Sequence, residues 1–340
     1  MLSGVNLDRI RRVIFRIKNF YAWCAEWSKE GEKLEKLAED ALSQGNIYSA
    51  RCLFHEAAAC FHVGQQVYFL DIEQKNKAQE RARENYKRAI ELYDEAERPI
   101  RIEIPFRGTA IPGYLRLVRK PNKPLIIISC GADGLKEIEA HYGANSLVDA
   151  GFNVFSFDGP GQGEMWENMK MISDYEKAVS AIIGCFEENN PYNIDVERIG
   201  VEGWSLSGYL VPRAAAFDKR ISCAVGNGGG GFFPKEMTKN PIYAREMCYV
   251  MGLGNIEELK RMMGQMDIKK VPPLDRPLLI ICGGKDKVIP HAKEQADYIM
   301  DWAVGEKELK YYPEGEHCCI NYLDEVRPYI NDWFKKHLLK

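Results

Sequence analysis

The sequence predicts an α/β protein: a mostly parallel sheet flanked by helices, with a helical domain ahead of it and a helical cap inserted into it. Three observations predict this. Apolar residues recur at three- and four-residue steps as far as about residue 97. The period changes to alternation at Arg101. Beyond that point, short apolar runs of strand length alternate with helical segments.

The elements follow in order. Ile10, Val13, Ile14, Ile17, Phe20 and Tyr21 mark a first helix. Leu34, Leu37, Ala38 and Leu42 mark a second, which runs into Gly45-Asn46 as a helix end. Tyr48 to Tyr68 is a third, and Ala78 to Ala96 a fourth, closed by Pro99. Three copies in register are missing, so the block reads as a bundle or arm rather than a tetratricopeptide array. Residues 1–97 are therefore expected to form a helical domain and residues 98–340 a second domain. In the latter, Arg101–Phe106 alternates and, after a turn, Gly113–Val118 follows as its antiparallel partner. Six further strands are expected at Leu125–Cys130, Phe152–Phe157, Ile199–Glu202, Ser222–Val225, Leu278–Cys282 and Leu309–Tyr312. Together they make an eight-stranded, mostly parallel sheet with helices on both faces. The stretch of about 227–271 begins with Gly228 to Gly231 and is rich in Met and aromatic residues. It is expected to be the cap.

Composition narrows the function. The 340 residues carry 46 Lys and Arg against 49 Asp and Glu, a net charge of −3. That balance argues against a nucleic-acid partner bound through bulk charge. No apolar run is long enough to span a bilayer. Met1 to Phe20 is interrupted by Arg9, Arg11, Arg12, Arg16 and Lys18, so it lacks the apolar core of a secretory signal. The ten cysteines contain no C-x-x-C pair, which argues against a zinc site. They read as reduced thiols of a cytoplasmic protein, with Cys130 and Cys282 acting as small hydrophobes. Neither metal nor organic cofactor is expected.

Ligands of such sheets bind at the carboxyl ends of the strands, and the chemistry-bearing residues cluster there. Gly203-Trp204-Ser205-Leu206-Ser207-Gly208 joins a strand to a helix, the context of a nucleophile elbow. Ser205 is the expected nucleophile. Ser207 stands where the G-x-S-x-G pattern has glycine, a small residue in a small-residue position. Asp286 follows a strand in a Gly-rich loop, as an acid that orients an imidazole. His317 follows the last strand, and among the six histidines only it has the required order and loop setting. Two backbone donors are needed for the oxyanion. Leu206 N–H, next to the nucleophile, is one; Ala132 N–H, after the strand Leu125–Cys130, is the choice for the other. Asp158-Gly-Pro-Gly-Gln-Gly-Glu164 is not a dinucleotide or phosphate motif and reads as a structural loop bordering the site. In the cap, Phe232, Phe233 and Tyr243 either line an apolar pocket of aromatic size or simply pack the cap.

Assembled, these motifs resemble the α/β-hydrolase superfamily over residues 100–340. The segments Gly45–Arg51, Asn193–Tyr209 and Arg213–Ile221 extend the resemblance across nearly the whole chain. They are similar to the 2,6-dihydroxypseudooxynicotine hydrolase family, related to FrsA-like esterases and fungal pigment-shortening hydrolases. That resemblance implies a Ser-Asp-His triad on Ser205, Asp286 and His317, and a helical arm at a homodimer interface. It also implies hydrolysis of a C–C bond beside a ketone on a hydroxylated aromatic ring, with an extra glutamate as acid, for which Glu236 is the local candidate; read from its own neighbourhood, Lys235-Glu236, it is equally a solvated surface carboxylate. The alternative activity is carboxylic ester hydrolysis on an acyl substrate. A third reading, an interaction protein whose residues 1–97 bind a partner, leaves the triad pattern without a purpose.

Overall fold

The computed structural model describes residues 5–339. It divides into two compact units. One extends to Pro99 and includes Glu137–Tyr142; the other holds Ile100–Lys136 and everything from Gly143 on.

The first unit is built from α1 (Leu7–Arg16), α2 (Trp23–Ser43), α3 (Ile47–Gln65) and α4 (Ile72–Glu91). The first helix is shorter than its apolar spacing suggests: Ile17 and Asn19 are extended, and a separate 3-10 turn holds Phe20–Ala22. The fourth begins earlier than expected, at Ile72 rather than Ala78. Its start is capped by Asp71, whose carboxylate accepts the Gln74 N–H at 3.0 Å. Trp27, Phe54, Phe61 and Tyr86 are fully buried between these helices. The buried Lys75 donates Nζ–H to the carbonyl of Gln65 at 2.8 Å and to its Oε1 at 2.5 Å. Those bonds offset part of the cost of burying an ammonium.

In the second unit the strands are β1 (Ile100–Phe106), β2 (Thr109–Arg116), β3 (Pro124–Ser129), β4 (Asn153–Phe157), β5 (Asp195–Trp204), β6 (Ile221–Asn227), β7 (Leu278–Gly283) and β8 (Lys307–Tyr312). They form one eight-stranded sheet in the order β1-β2-β4-β3-β5-β6-β7-β8. The pairs β1/β2 and β2/β4 are antiparallel and the rest parallel. The central strands β3, β4 and β7 are buried at every residue, which is why they read as unbroken apolar runs. The edge strand β8 is polar and only part-buried, as edges are. Strand β5, between β3 and β6, starts four residues before the apolar run that predicts it: Asp195–Arg198 is polar strand, and the register with β3 shifts before Leu125.

Helices cross between the strands: α5 (Glu139–Asp149), the short α6 (Met165–Asn168), α7 (Glu176–Glu188), α8 (Ser207–Phe217), α9 (Pro241–Met251), α10 (Ile256–Met263), α11 (Ala292–Trp302) and α12 (Leu323–Leu338). The insertion between β6 and β7 carries α9 and α10. Its base is tied by an antiparallel bridge between Phe232 and Asp267 and by the Ile268 N–H donating to Gly231 O at 2.8 Å. No helix among the described residues is long and apolar enough to cross a membrane.

After β4 the chain is anchored by a buried ion pair. Lys136 Nζ, with a side chain 0% exposed, donates to Asp158 Oδ2 at 2.8 Å and to Glu164 at 3.0 Å. Asp158 also accepts the backbone N–H groups of Lys136 and Glu164. Burial would raise the Glu164 carboxyl, but Arg101 and Lys136 hold it down, to about 2. Its stabilising contribution is present above the ordinary carboxyl range and is lost as pH falls towards 2. Asp158→Asn leaves Lys136 buried with half its compensation. It is expected to lower the unfolding free energy by about 3 kcal/mol, read from urea denaturation. An unchanged midpoint would show that the pair contributes nothing.

Candidate active site

Strand β3 turns to β4 on one side of the sheet and is flanked by β5 on the other, so the strand order reverses there. Such a switch point opens a crevice at the carboxyl ends of the strands. The loop after β3 supplies residues 130–134, and the turn after β5 supplies Ser205.

Ser205 has φ 55°, the left-handed region that a serine enters only when its surroundings impose it. Two bonds hold it there. Its N–H donates to Asn227 O at 2.8 Å, and its carbonyl accepts the Gly208 N–H at 2.8 Å. The turn is so tight that a Cβ on Gly203 would lie 2.0 Å from Ser207 O. That oxygen is backbone and cannot rotate away. Gly203→Ala is therefore expected to cost about 3 kcal/mol of stability and to disorder the elbow, measured by thermal midpoint together with activity. Retention of both would show that the turn has slack.

The acid is oriented by its own loop. Asp286 Oδ1 accepts the N–H groups of Val288 and Ile289 at 2.8 and 2.9 Å. That leaves Oδ2 for His317 Nδ1, at 2.8 Å. A carboxylate only accepts, so Nδ1 carries the proton. Nε2 then has its lone pair free, and Ser205 Oγ–H donates to it at 2.8 Å. Burial disfavours the charged imidazolium, but the Cys318 sulfur and the Asp286 carboxylate outweigh it and hold the pKa well above the ordinary 6.5. The loops of Asp286 and His317 are joined by the Lys285 N–H donating to Gly315 O at 2.8 Å.

The two residues expected to supply oxyanion donors are both buried. Leu206 immediately precedes α8, and Ala132 lies in the loop after β3. Neither N–H donates to an acceptor among the described residues. The Gly131 backbone packs against Ser205: a Cβ there would lie 3.0 Å from Ser205 Cβ.

The cap residues fare differently. Phe233 is buried, edge-on to Tyr209 with centroids 5.3 Å apart. Phe232 meets Tyr298 at 5.1 Å. Both line a cavity of about 260 Å³ with Met263, Met266 and Tyr298. Ser205, Asp286 and His317 are not on its wall. Tyr243 is buried but not on that wall either, and its hydroxyl has no partner among the described residues. Glu236 requires a correction. It sits exposed in the 3-10 turn Lys235–Lys239, with no hydrogen bond or ion pair among the described residues. The structure does not give it the sequestered position that an acid serving a buried leaving group needs.

Sequence reasoning missed three groups around the elbow. Asn227 donates Nδ2–H to Cys318 O at 3.2 Å, so one residue holds both Ser205 N–H and the histidine loop. Cys318 and Cys319 directly after His317 have φ 54° and 50°. Glu202, fully buried on β5, is paired with Arg327 and accepts the Trp204 Nε1–H at 2.5 Å. An acidic residue inside an apolar strand run was the available signal for the last. The ten cysteines are all free thiols, most of them buried.

No family model matches the chain. It is 28% identical over 342 residues to the 2,6-dihydropseudooxynicotine hydrolase of Paenarthrobacter nicotinovorans, covering 98% of this chain and 89% of that protein. A crystal structure of the 2,6-dihydroxy-pseudo-oxynicotine hydrolase superposes with a TM-score of 0.87 at 28% identity, over 99% of this chain and 94% of that one. The chain has the α/β-hydrolase fold. It is a hydrolase. Hydrolase ORFZ of Pyricularia oryzae is 32% identical over 242 residues, covering 66% of this chain. The chain spans about half, 56%, of the length of that fungal relative.

Proposed function

We propose that the protein is a serine hydrolase that cleaves the C–C bond between a ketone carbonyl and a hydroxylated aromatic ring. The observation that carries the serine chemistry is the unbroken hydrogen-bond path Asp286–His317–Ser205, ending on a left-handed elbow beside two unengaged N–H groups. Support for the substrate class comes from the likeness to 2,6-dihydropseudooxynicotine hydrolase over almost the entire chain.

In the proposed reaction Ser205 Oγ attacks the carbonyl carbon and its proton passes to His317 Nε2. Asp286 stabilises the imidazolium. The N–H groups of Leu206 and Ala132 hold the oxyanion. Collapse breaks the bond to the aryl carbon, and that carbon takes the proton from His317. A ring hydroxyl ortho or para to it eases the step, because the ring can leave as its keto tautomer. Water, deprotonated by His317, then attacks the acyl-enzyme and frees the carboxylic acid and Ser205.

The test is incubation with hydroxylated acylphenones and with matched aryl esters, with products identified by mass. The expected result is a carboxylic acid plus a hydroxyarene from the ketone. Turnover of the esters with no ketone cleavage across the panel would replace this reading with a carboxylesterase.

A further inference from the structure

Ser207, where the elbow pattern has glycine, is not idle. Its hydroxyl is fully buried and belongs to a closed ring of polar groups beneath Ser205. Ser207 Oγ lies 2.8 Å from Ser129 Oγ, Ser129 Oγ 2.9 Å from Tyr175 Oη, and Tyr175 Oη 2.7 Å from Gln162 Oε1. Gln162 Nε2 closes the ring on Ser207 Oγ at 3.1 Å.

The orientation of the Gln162 amide is determined by backbone groups that have no choice of role. Gln162 Oε1 accepts the Gly159 N–H at 3.1 Å, and Nε2 donates to Cys130 O at 2.7 Å and Gly131 O at 3.1 Å. An N–H cannot accept and a carbonyl cannot donate, so the amide cannot be flipped. The two N–H groups of the amide are shared among Cys130 O, Gly131 O and Ser207 Oγ, and the hydroxyls of Ser207, Ser129 and Tyr175 complete the ring, Ser129 Oγ lying 3.2 Å from Gln162 Oε1 as well. Every hydroxyl of the ring has polar partners, which is what burial demands.

The two carbonyls gripped by Gln162 belong to the residues immediately before Ala132. Fixing Cys130 O and Gly131 O fixes the two peptide planes leading to the Ala132 N–H. The geometry points to Gln162 as a positioning residue: through Cys130 and Gly131 it aims the Ala132 N–H at the oxyanion, and through Ser207 it ties that loop to the nucleophile elbow. This deepens the serine-hydrolase reading and rests on it. It also gives Ser207 a purpose that glycine cannot serve.

The test uses the full chain and a fluorophosphonate probe, whose phosphonyl oxygen occupies the same donors when Ser205 is labelled. Inactivation is separated into kinact and Ki, with the pH dependence of kinact. Gln162→Glu is nearly isosteric but turns a donor into an acceptor facing two carbonyls. It is expected to lower kinact by about 10- to 100-fold with Ki within about threefold, and to leave the pH limb set by His317 in place. Ser207→Ala removes one link and keeps the grip on Cys130 O, so a smaller fall in kinact, about three- to tenfold, is expected. If folded Gln162→Glu keeps the parent kinact, the positioning role is wrong. Should that variant fail to fold, Ser207→Ala with the parent kinact overturns it instead. A shifted pH limb would also overturn it, by placing the effect on His317. If the parent itself is not labelled at Ser205, the serine-hydrolase reading has failed, a result distinct from labelling that ignores Gln162.

Discussion

Ser205→Ala is expected to abolish fluorophosphonate labelling and to lower turnover by about a millionfold. The size follows from the absence of a substitute nucleophile. Ser207 Oγ and Ser129 Oγ, also at this end of the sheet, are buried in the hydrogen-bond ring, where their partners are Gln162, Tyr175 and each other. Cys130 is buried, with its thiol 3.7 Å from Leu135 O. What survives is the stabilisation that the Leu206 and Ala132 N–H groups give to water attack, about a thousandfold over the uncatalysed reaction. The measurement is intact-protein mass after exposure to the probe, with circular dichroism to show that the variant is folded. Equal labelling of parent and Ser205→Ala would place the reactive group elsewhere and remove the elbow from the mechanism.

That prediction rests on residues the sequence makes visible, and the reason is topological. A parallel sheet buries its central strands on both faces, so β3, β4 and β7 stand out as apolar runs. Once the strands are located, their carboxyl ends locate Ser205, Asp286 and His317, whose chain order matches the hydrolase pattern. Polar strand positions were invisible for the converse reason: Asp195–Arg198 lengthens β5 without an apolar signal. Start points of helices depended on caps, as Asp71 shows at α4.

The supporting network was the least legible part. Gln162 sits in a glycine-rich loop that reads as a border of the site, and its importance comes from register alone. The strand before its loop, β4, lies beside β3, which places its amide against carbonyls 31 and 32 residues away in sequence. Asn227 likewise joins Ser205 to Cys318, 91 residues away. Contacts of that kind are set by strand pairing and carry no local pattern. Glu236 failed for a different reason. Its place was carried by resemblance rather than by a burial pattern, and the turn holding it faces solvent.

Asp286→Asn is expected to lower kcat about ten-thousand-fold and to move the acidic limb of the pH profile downwards. The carboxylate does two things here. It fixes Nδ1 as the protonated nitrogen, leaving Nε2 to accept from Ser205. Together with the Cys318 sulfur, it also favours the imidazolium against burial, which keeps the His317 pKa well above 6.5. The base works only when neutral, so activity in the parent rises with pH through that raised value. Asparagine removes the negative charge while the burial remains, so the imidazolium keeps only the Cys318 sulfur as support and the limb shifts to lower pH. The stability linkage has the opposite sign. A folded-state pKa above the unfolded one stabilises the fold fully below about 6.5, and the gain is lost as pH rises through the raised value. Parent and variant should therefore differ most in thermal midpoint on the acidic side and converge in alkali. Activity profiles and melting curves across the same buffers test both limbs at once. A variant whose acidic limb stays where the parent's lies would show that Asp286 does not set the His317 charge, and the orienting acid would have to be sought elsewhere.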